Sequence, residues 1–218
     1  MKTVSISDTI RNLVPEINLG LISADVVFEK ENQVLQDAIN EEIQRISEIK
    51  IENVKEILQI KSSREAYKAL GKEPARYRLS AEALHRRIIN GKGLYQISNL
   101  VDTINLASVK TGYSIGGYDE AMIEGDVIFD LGKKDEDYEA IGRGKMNIEN
   151  LPVFRDEKSA FGSPTSDSLR TMITKKTSGI FLIFINFGGH DNFENELTEI
   201  CNLFADYCAG ENFEIKII

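Results

Sequence analysis

Two histidines and two cysteines in 218 residues leave a short inventory of reactive side chains. Nucleophilic hydrolysis needs a nucleophile, a base within reach and a group that orients the base. His85 and His190 are the only imidazoles, and about a hundred residues separate them. No Gly-x-Ser-x-Gly elbow is present, and Cys201 and Cys208 are spaced i, i+7 on an apolar helical pattern, where buried and inert thiols are expected. His85 stands beside Arg86 and reads as a structural or phosphate-contacting group. His190 follows Gly188-Gly189 after an apolar run, and both a site-bearing loop and a plain surface turn fit it. So few soft ligands predict no metal site. The acidic stretch Asp135, Glu136, Asp137 and Glu139 lacks the central Gly and distal Glu of a calcium loop and reads as a solvated turn. Residues Ile141 to Lys145, IGRGK, hold only Gly-x-Gly, short of a dinucleotide fingerprint or a phosphate loop, so no nucleotide cofactor is expected.

Charge is distributed unevenly. The chain sums to -9 at pH 7, yet residues 61–92 carry nine basic side chains against three acidic ones, a local +6 on a remainder of -15. A net-acidic protein does not coat nucleic acid indiscriminately, but counterion release depends on the charges at the contact. Candidate phosphate contacts are Arg76, Arg78, His85, Arg86, Arg87 and Lys92. A solvated helical surface is the alternative.

A second constellation is the run Asn99 to Asn105, followed by Gly112, Gly116, Gly117, Tyr118 and Asp119. Asn99, Asp102 and Asn105 lie at i, i+3 and i+6 on one side of a helix. Asp102 has two open roles, accepting backbone N–H bonds or holding a basic side chain, and glycines admit a small polar ligand close to the backbone.

The elements that must position these groups follow from periodicity. Ile17 to Phe28 reads as a strand interrupted near Gly20, and Asn32 caps a helix with Leu35, Ile39, Ile43 and Ile46 facing inward. Residues 52–60 read as a short helix or helix tail. Ser62 and Glu65 have the form of a capping box opening a helix that Gly71 ends, and Ser80 is expected to cap the next, which Asn90-Gly91 stops. A further helix ends near Lys110. Short strands follow, then Ile180 to Phe187, apolar enough to be buried on both faces, a helix ending at Gly210, and a last strand in which a local parallel pairing is allowed. A composition of 42% apolar and 28% charged residues, with no apolar segment of membrane-spanning or signal length, suits a soluble, cytoplasmic protein without membrane contact. One α+β domain is expected over 1–218, with 1–60 an N-terminal strand-and-helix extension packed on a 61–218 core.

From Arg76 to Asp119 the sequence resembles the aminoacyl-tRNA editing domain of the phenylalanyl-tRNA synthetase beta chain, and looks especially like free-standing proteins made of that domain. The resemblance is carried by Arg-x-Ser-x-Glu-x-Leu around Ser80, Glu82 and Leu84, by Asn-Leu-Val-Asp-x-x-Asn at 99–105, and by Gly-Gly-Tyr-Asp at 116–119. Glu149 to Asp156 and Ser166 to Thr171 resemble later segments of the same family. The resemblance implies a three-layer alpha/beta/beta fold and a tRNA or aminoacyl-tRNA partner. It also implies an activity that hydrolyses the ester of a mischarged tRNA, tyrosine being the error in the synthetase. The implied substrate pocket is Asn99, Asp102, Asn105, Gly116, Gly117, Tyr118, Asp156, Ser166, Asp167 and Thr171, with the six basic residues above meeting tRNA phosphates. The sequence departs from the family where a pocket histidine is replaced by Gly116 and where a pocket glutamate has no counterpart, which removes groups that would grip a tyrosine hydroxyl. Three functions stay open: a trans-editing hydrolase, a tRNA or small-ligand binding module without hydrolysis, and a partner-binding protein that kept the fold.

Overall fold

A computed structural model describes residues 1–218. The first half runs β1 (Val4–Ile6), α1 (Asp8–Leu13), β2 (Asn18–Asp25), α2 (Gln33–Ser47), α3 (Leu58–Ala69), α4 (Ser80–Ile89) and α5 (Asn99–Thr111). The second half runs β3 (Ile115–Asp119), β4 (Val127–Leu131), β5 (Glu139–Ala140), β6 (Gly144–Lys145), β7 (Pro152–Arg155), β8 (Ala160–Gly162), β9 (Gly179–Asn186), α6 (Phe193–Cys208) and β10 (Glu211–Ile217).

The apolar run of β9 dictates the layering. Alternate side chains of a strand leave opposite faces. Phe181, Ile183 and Ile185 enter one core, and Ile180, Leu182 and Phe184 enter another. The first core lies between the sheet β10-β2-β9-β3 and a second sheet, β1-β4-β7-β8, which supplies Phe129, Val153, Phe154 and Phe161. The second core lies under α5 and α6, through Leu100, Ile104, Leu197, Ile200 and Phe204. Helices, sheet and sheet thus form three layers of an α+β fold. Leu35, Ile39, Leu84 and Ile88 then attach α2 and α4 to Leu106 and Val109 on α5. No helix is long and apolar enough to cross a membrane.

Several expectations are corrected by tertiary contacts. Residues 1–60 are not an extension laid on a finished core, because β2 lies between β10 and β9 and β1 pairs with β4. Gly20 does not interrupt β2. A methyl group there would meet Leu197 and Phe193 of α6 at 2.7 Å, so glycine lets the helix approach an unbroken strand. β10 does not pair with β9; β2 stands between them and is antiparallel to both. Ser62 opens no helix, since α3 starts at Leu58 and the Ser62 hydroxyl donates to Leu58 O at 3.0 Å. Residues Ile51–Glu56 form a 3-10 turn before it, with Val54 packed on Ile60 and Ala81. Leu79, not Ser80, is the N-cap of α4: its backbone is extended (φ -64°, ψ 148°) and Ser80 is already helical, its N–H donating to Pro164 O at 2.8 Å. The acidic turn is only partly solvated: Glu136 pairs with Arg155.

Candidate functional site

The basic segment folds into one wall of a cleft of about 690 Å³. α4 brings Arg86 and Arg87 to it, the preceding link brings Arg78, and the turn after the helix brings Lys92. The helix can present these cations because its opposite face, Ala81, His85 and Ile88, is buried. Asn105 of α5 enters from a second side, Thr165 and Ser166 from the 163–168 loop, and Ile141, Gly142 and Arg143 from the β5–β6 turn. Tyr95 and Ile97 complete the rim with exposed apolar surface.

No carboxylate and no imidazole line this cleft, whereas Arg78, Arg86, Arg87, Lys92 and Arg143 do. Arginines so close together repel unless something behind them compensates. That group is Glu82, 1 % exposed in the first turn of α4, which accepts from Arg64 Nη1 at 2.7 Å and Arg86 Nε at 2.8 Å, with Arg78 Nε at 4.0 Å. Arg87 lies over the Tyr95 ring at 3.9 Å, and its buried Nε has no hydrogen-bond partner. The loop opposite is held by its own network. Ser163 Oγ accepts from Thr165 N at 3.2 Å and Ser166 N at 3.1 Å, Tyr67 Oη lies 3.0 Å from Thr165 Oγ1, and Ile141 N donates to Asp167 O at 2.9 Å. A fixed, cationic, carboxylate-free concavity with neutral polar groups on its floor suits a phosphodiester.

Of the residues singled out by sequence, Arg78, Arg86, Arg87, Lys92, Asn105 and Ser166 meet here. Arg76 does not line the cleft; it is exposed beside the Tyr77 ring. His85 cannot touch a phosphate. It is 2 % exposed, its Nδ1 is 2.9 Å from Ala81 O, and burial lowers its pKa toward the neutral imidazole.

The glycine-walled hollow is filled by the protein itself. The Tyr118 ring is fully buried, and methyl groups built on Gly116 or Gly162 would overlap its phenol, coming within 2.6 Å of Cζ in both cases. Gly117 faces the other way, onto Ile104 of α5. Tyr118 Oη donates to Asp167 at 2.9 Å, and burial raises the Asp167 pKa to about 7 against that donor. Asn99 and Asp102 pin the chain rather than line a pocket. Asn99 Oδ1 accepts from Glu29 N at 2.8 Å and its amide donates to Val27 O and Tyr207 O, while Asp102 accepts from Ile97 N at 3.0 Å. Burial raises the Asp102 pKa despite these donors. Asp156 is saturated as well, by Glu124 N at 2.8 Å, Lys158 N, Ser159 N and Arg170 Nη2 at 2.8 Å. Burial acts to raise its pKa, but these donors outweigh it and hold the carboxyl low. Thr171 is fully buried outside the cleft.

Tyr95, Ile141 and Arg143 were not anticipated. The IGRGK stretch carried a signal, a cation between glycines, but only tertiary pairing of the β5–β6 hairpin brings it opposite α4.

The B3/4 domain pattern matches residues 62–208. Among solved structures, an N-terminal fragment of the phenylalanyl-tRNA synthetase beta-subunit from Pyrococcus horikoshii is similar at 14% identity and a TM-score of 0.48, over 99% of this chain and 50% of that one. The chain therefore spans about half the length of that fragment. Comparison with curated proteins finds no significant match.

Proposed function

Because the chain belongs to the B3/4 domain family, a domain found in phenylalanyl-tRNA synthetase beta chains, we propose that its basic cleft binds tRNA by the aminoacylated 3′ end. One observation carries the reading. On a chain of net charge -9, Arg78, Arg86, Arg87, Lys92 and Arg143 converge on one concavity without a lining carboxylate, and the buried Arg87 Nε lacks a partner. Phosphates neutralise those cations, and the exposed rim of Tyr95, Ile97 and Ile141 offers stacking and apolar contact to a base or an amino-acid side chain. A tRNA partner is compatible with a cytoplasmic protein.

Binding without hydrolysis is the favoured form. The cleft holds no group able to take a proton near pH 7, and the Gly116 hollow is occupied by Tyr118. Deacylation of a mischarged end is the second reading. An activated ester needs only a positioned water and donors to the oxyanion, and Asn105, Thr165 and Ser166 are in place beside the cations.

Mobility shift of tRNA at about 50 and 200 mM salt tests the binding, since each phosphate contact contributes a log–log slope of about -0.9 on duplex and -0.7 on single strands. Arg78→Ala/Arg87→Ala should weaken every tRNA alike and flatten the slope by about 1.4 to 1.8. Salt-independent binding, or no effect of the double substitution, overturns it. A panel of mischarged tRNAs then separates a binder from a deacylase.

A further inference from the structure

Away from the basic cleft, and sharing none of its residues, a serine and a histidine 128 positions apart meet at a pinch between two hollows. Ser62 Oγ lies 3.4 Å from His190 Nε2, and the same hydroxyl donates to Leu58 O at 3.0 Å. Gly188 makes the approach possible. A methyl group on it would sit 2.6 Å from Ser62 Oγ and 2.9 Å from His190 Nε2. The N–H groups of Gly188 and Gly189 donate to no protein acceptor, and Gly189 turns the chain with a φ of +61°. His190 itself is held by its backbone, N to Asn186 Oδ1 at 3.1 Å and O to Asn186 Nδ2 at 3.3 Å.

The two hollows share Gly188. One, of about 360 Å³, is walled by Leu13, Val14, Pro15, Ala66 and Phe187 beside Ser62. The other, of about 460 Å³, is polar and is lined by Gln59, His190, Asp191, Asn192 and Glu196. Beside it the Glu196 carboxylate faces the Tyr113 hydroxyl, and the two are hydrogen-bonded partners. Neither hollow is lined by Lys or Arg, and both carry carboxylates, Glu16 and Glu65 in one, Asp191 and Glu196 in the other. That excludes a phosphate ligand here and favours a neutral or cationic one.

We propose that Ser62 and His190 are a nucleophile and base that hydrolyse neutral or cationic carboxylic esters, with the apolar acyl group in the first hollow and the polar alcohol part in the second. On ester binding the Ser62 hydroxyl rotates from Leu58 O toward His190, and its proton passes to Nε2 as Oγ bonds to the ester carbon, with the Gly188 and Gly189 N–H groups as donors to the oxyanion. The carbon–alkoxide bond then breaks, and the alcohol leaves with the proton from His190. Water attacks the acyl-serine, gives a proton to His190, and the carboxylic acid departs as Oγ regains its proton. Burial lowers the His190 pKa, so the imidazole is free to accept at neutral pH.

The test uses the full chain with p-nitrophenyl butyrate as the neutral ester and a fluorophosphonate as the covalent probe. Saturable hydrolysis, a rate that rises with pH and levels below neutrality, and fluorophosphonate mass on the peptide containing Ser62 are expected. Ser62→Ala and His190→Gln should each lower kcat/KM by about 100-fold or more, and a p-nitrophenyl ester with an anionic acyl chain should be the poorer substrate. Labelling of the wild-type chain requires no variant to fold. Absence of the label at Ser62, or full activity in Ser62→Ala with an unchanged melting curve, overturns the proposal.

Discussion

Glu82→Ala removes the acceptor shared by Arg64, Arg86 and Arg78, and its consequence can be worked out from the geometry. The carboxylate is 1 % exposed, while Arg64 and Arg86 are 21% and 25% exposed. Breaking a buried charge pair costs about 3–5 kcal/mol, because the remaining charges lose their partner without regaining full hydration. Here both guanidiniums reach some water, so the lower end applies, about 3 kcal/mol. In a domain of this size each kcal/mol moves Tm by about 2–4 °C, so a fall of roughly 6–12 °C is expected by circular dichroism or calorimetry. Glu82→Gln should lose less, since it keeps one oxygen to accept from a guanidinium. A double-mutant cycle with Arg86→Ala should reveal coupling of about 0.5–3 kcal/mol. A Tm within about 2 °C of the parent, or strict additivity of the two substitutions, would show that Glu82 does not organise the arginines of the cleft.

Two further perturbations address the filled hollow. Asp167 has a folded pKa of about 7, above its unfolded value, so its protonated form contributes stability that is full below about pH 4 and is lost as pH rises toward 7. Asn at this position still accepts from Tyr118 and Ser163 without titrating. The Tm of Asp167→Asn minus that of the parent should therefore grow between about pH 4 and 7 and level off above, and parallel melting profiles would refute the assignment; His85, whose pKa is lowered, is common to both proteins and cancels. Gly116→Ala places a methyl group against the Tyr118 phenol and should cost about 1–3 kcal/mol by overpacking, read as a lower midpoint in urea. An unchanged midpoint would mean that the hollow has room for a ligand.

The legible elements are those whose whole reason is local. Asn32 caps α2 through Leu35 N, and its apolar residues recur at helical spacing; β9 is apolar from Ile180 to Ile185 because it is covered on both sides. Serines misled where a cap pattern met a competing contact. Ser62 lies within α3 because packing of Ile60 on Val54 and Ala81 starts that helix earlier, and Ser80 is drawn to Pro164. The last strand went astray for a related reason, since nothing in residues 211–217 records that β2, from the other end of the chain, occupies the place beside β9.

The candidate site divides in the same way. Arg78, Arg86, Arg87 and Lys92 are close in sequence and lie along one helix and its flanks, so their common exposure follows from the buried face opposite them. Sequence alone therefore determined a concentrated positive surface, the helical and strand periods, and the residues that tie the chain to its family. Tertiary structure decided what faces that surface. It brought Arg143 and Ser166 across from distant turns, set Glu82 behind the arginines, closed the Gly116 hollow with Tyr118, and placed Ser62 beside His190. Periodicity records which side of an element meets water, but pairing between elements depends on shape and on charge balance among residues far apart in the chain, and no local pattern encodes that.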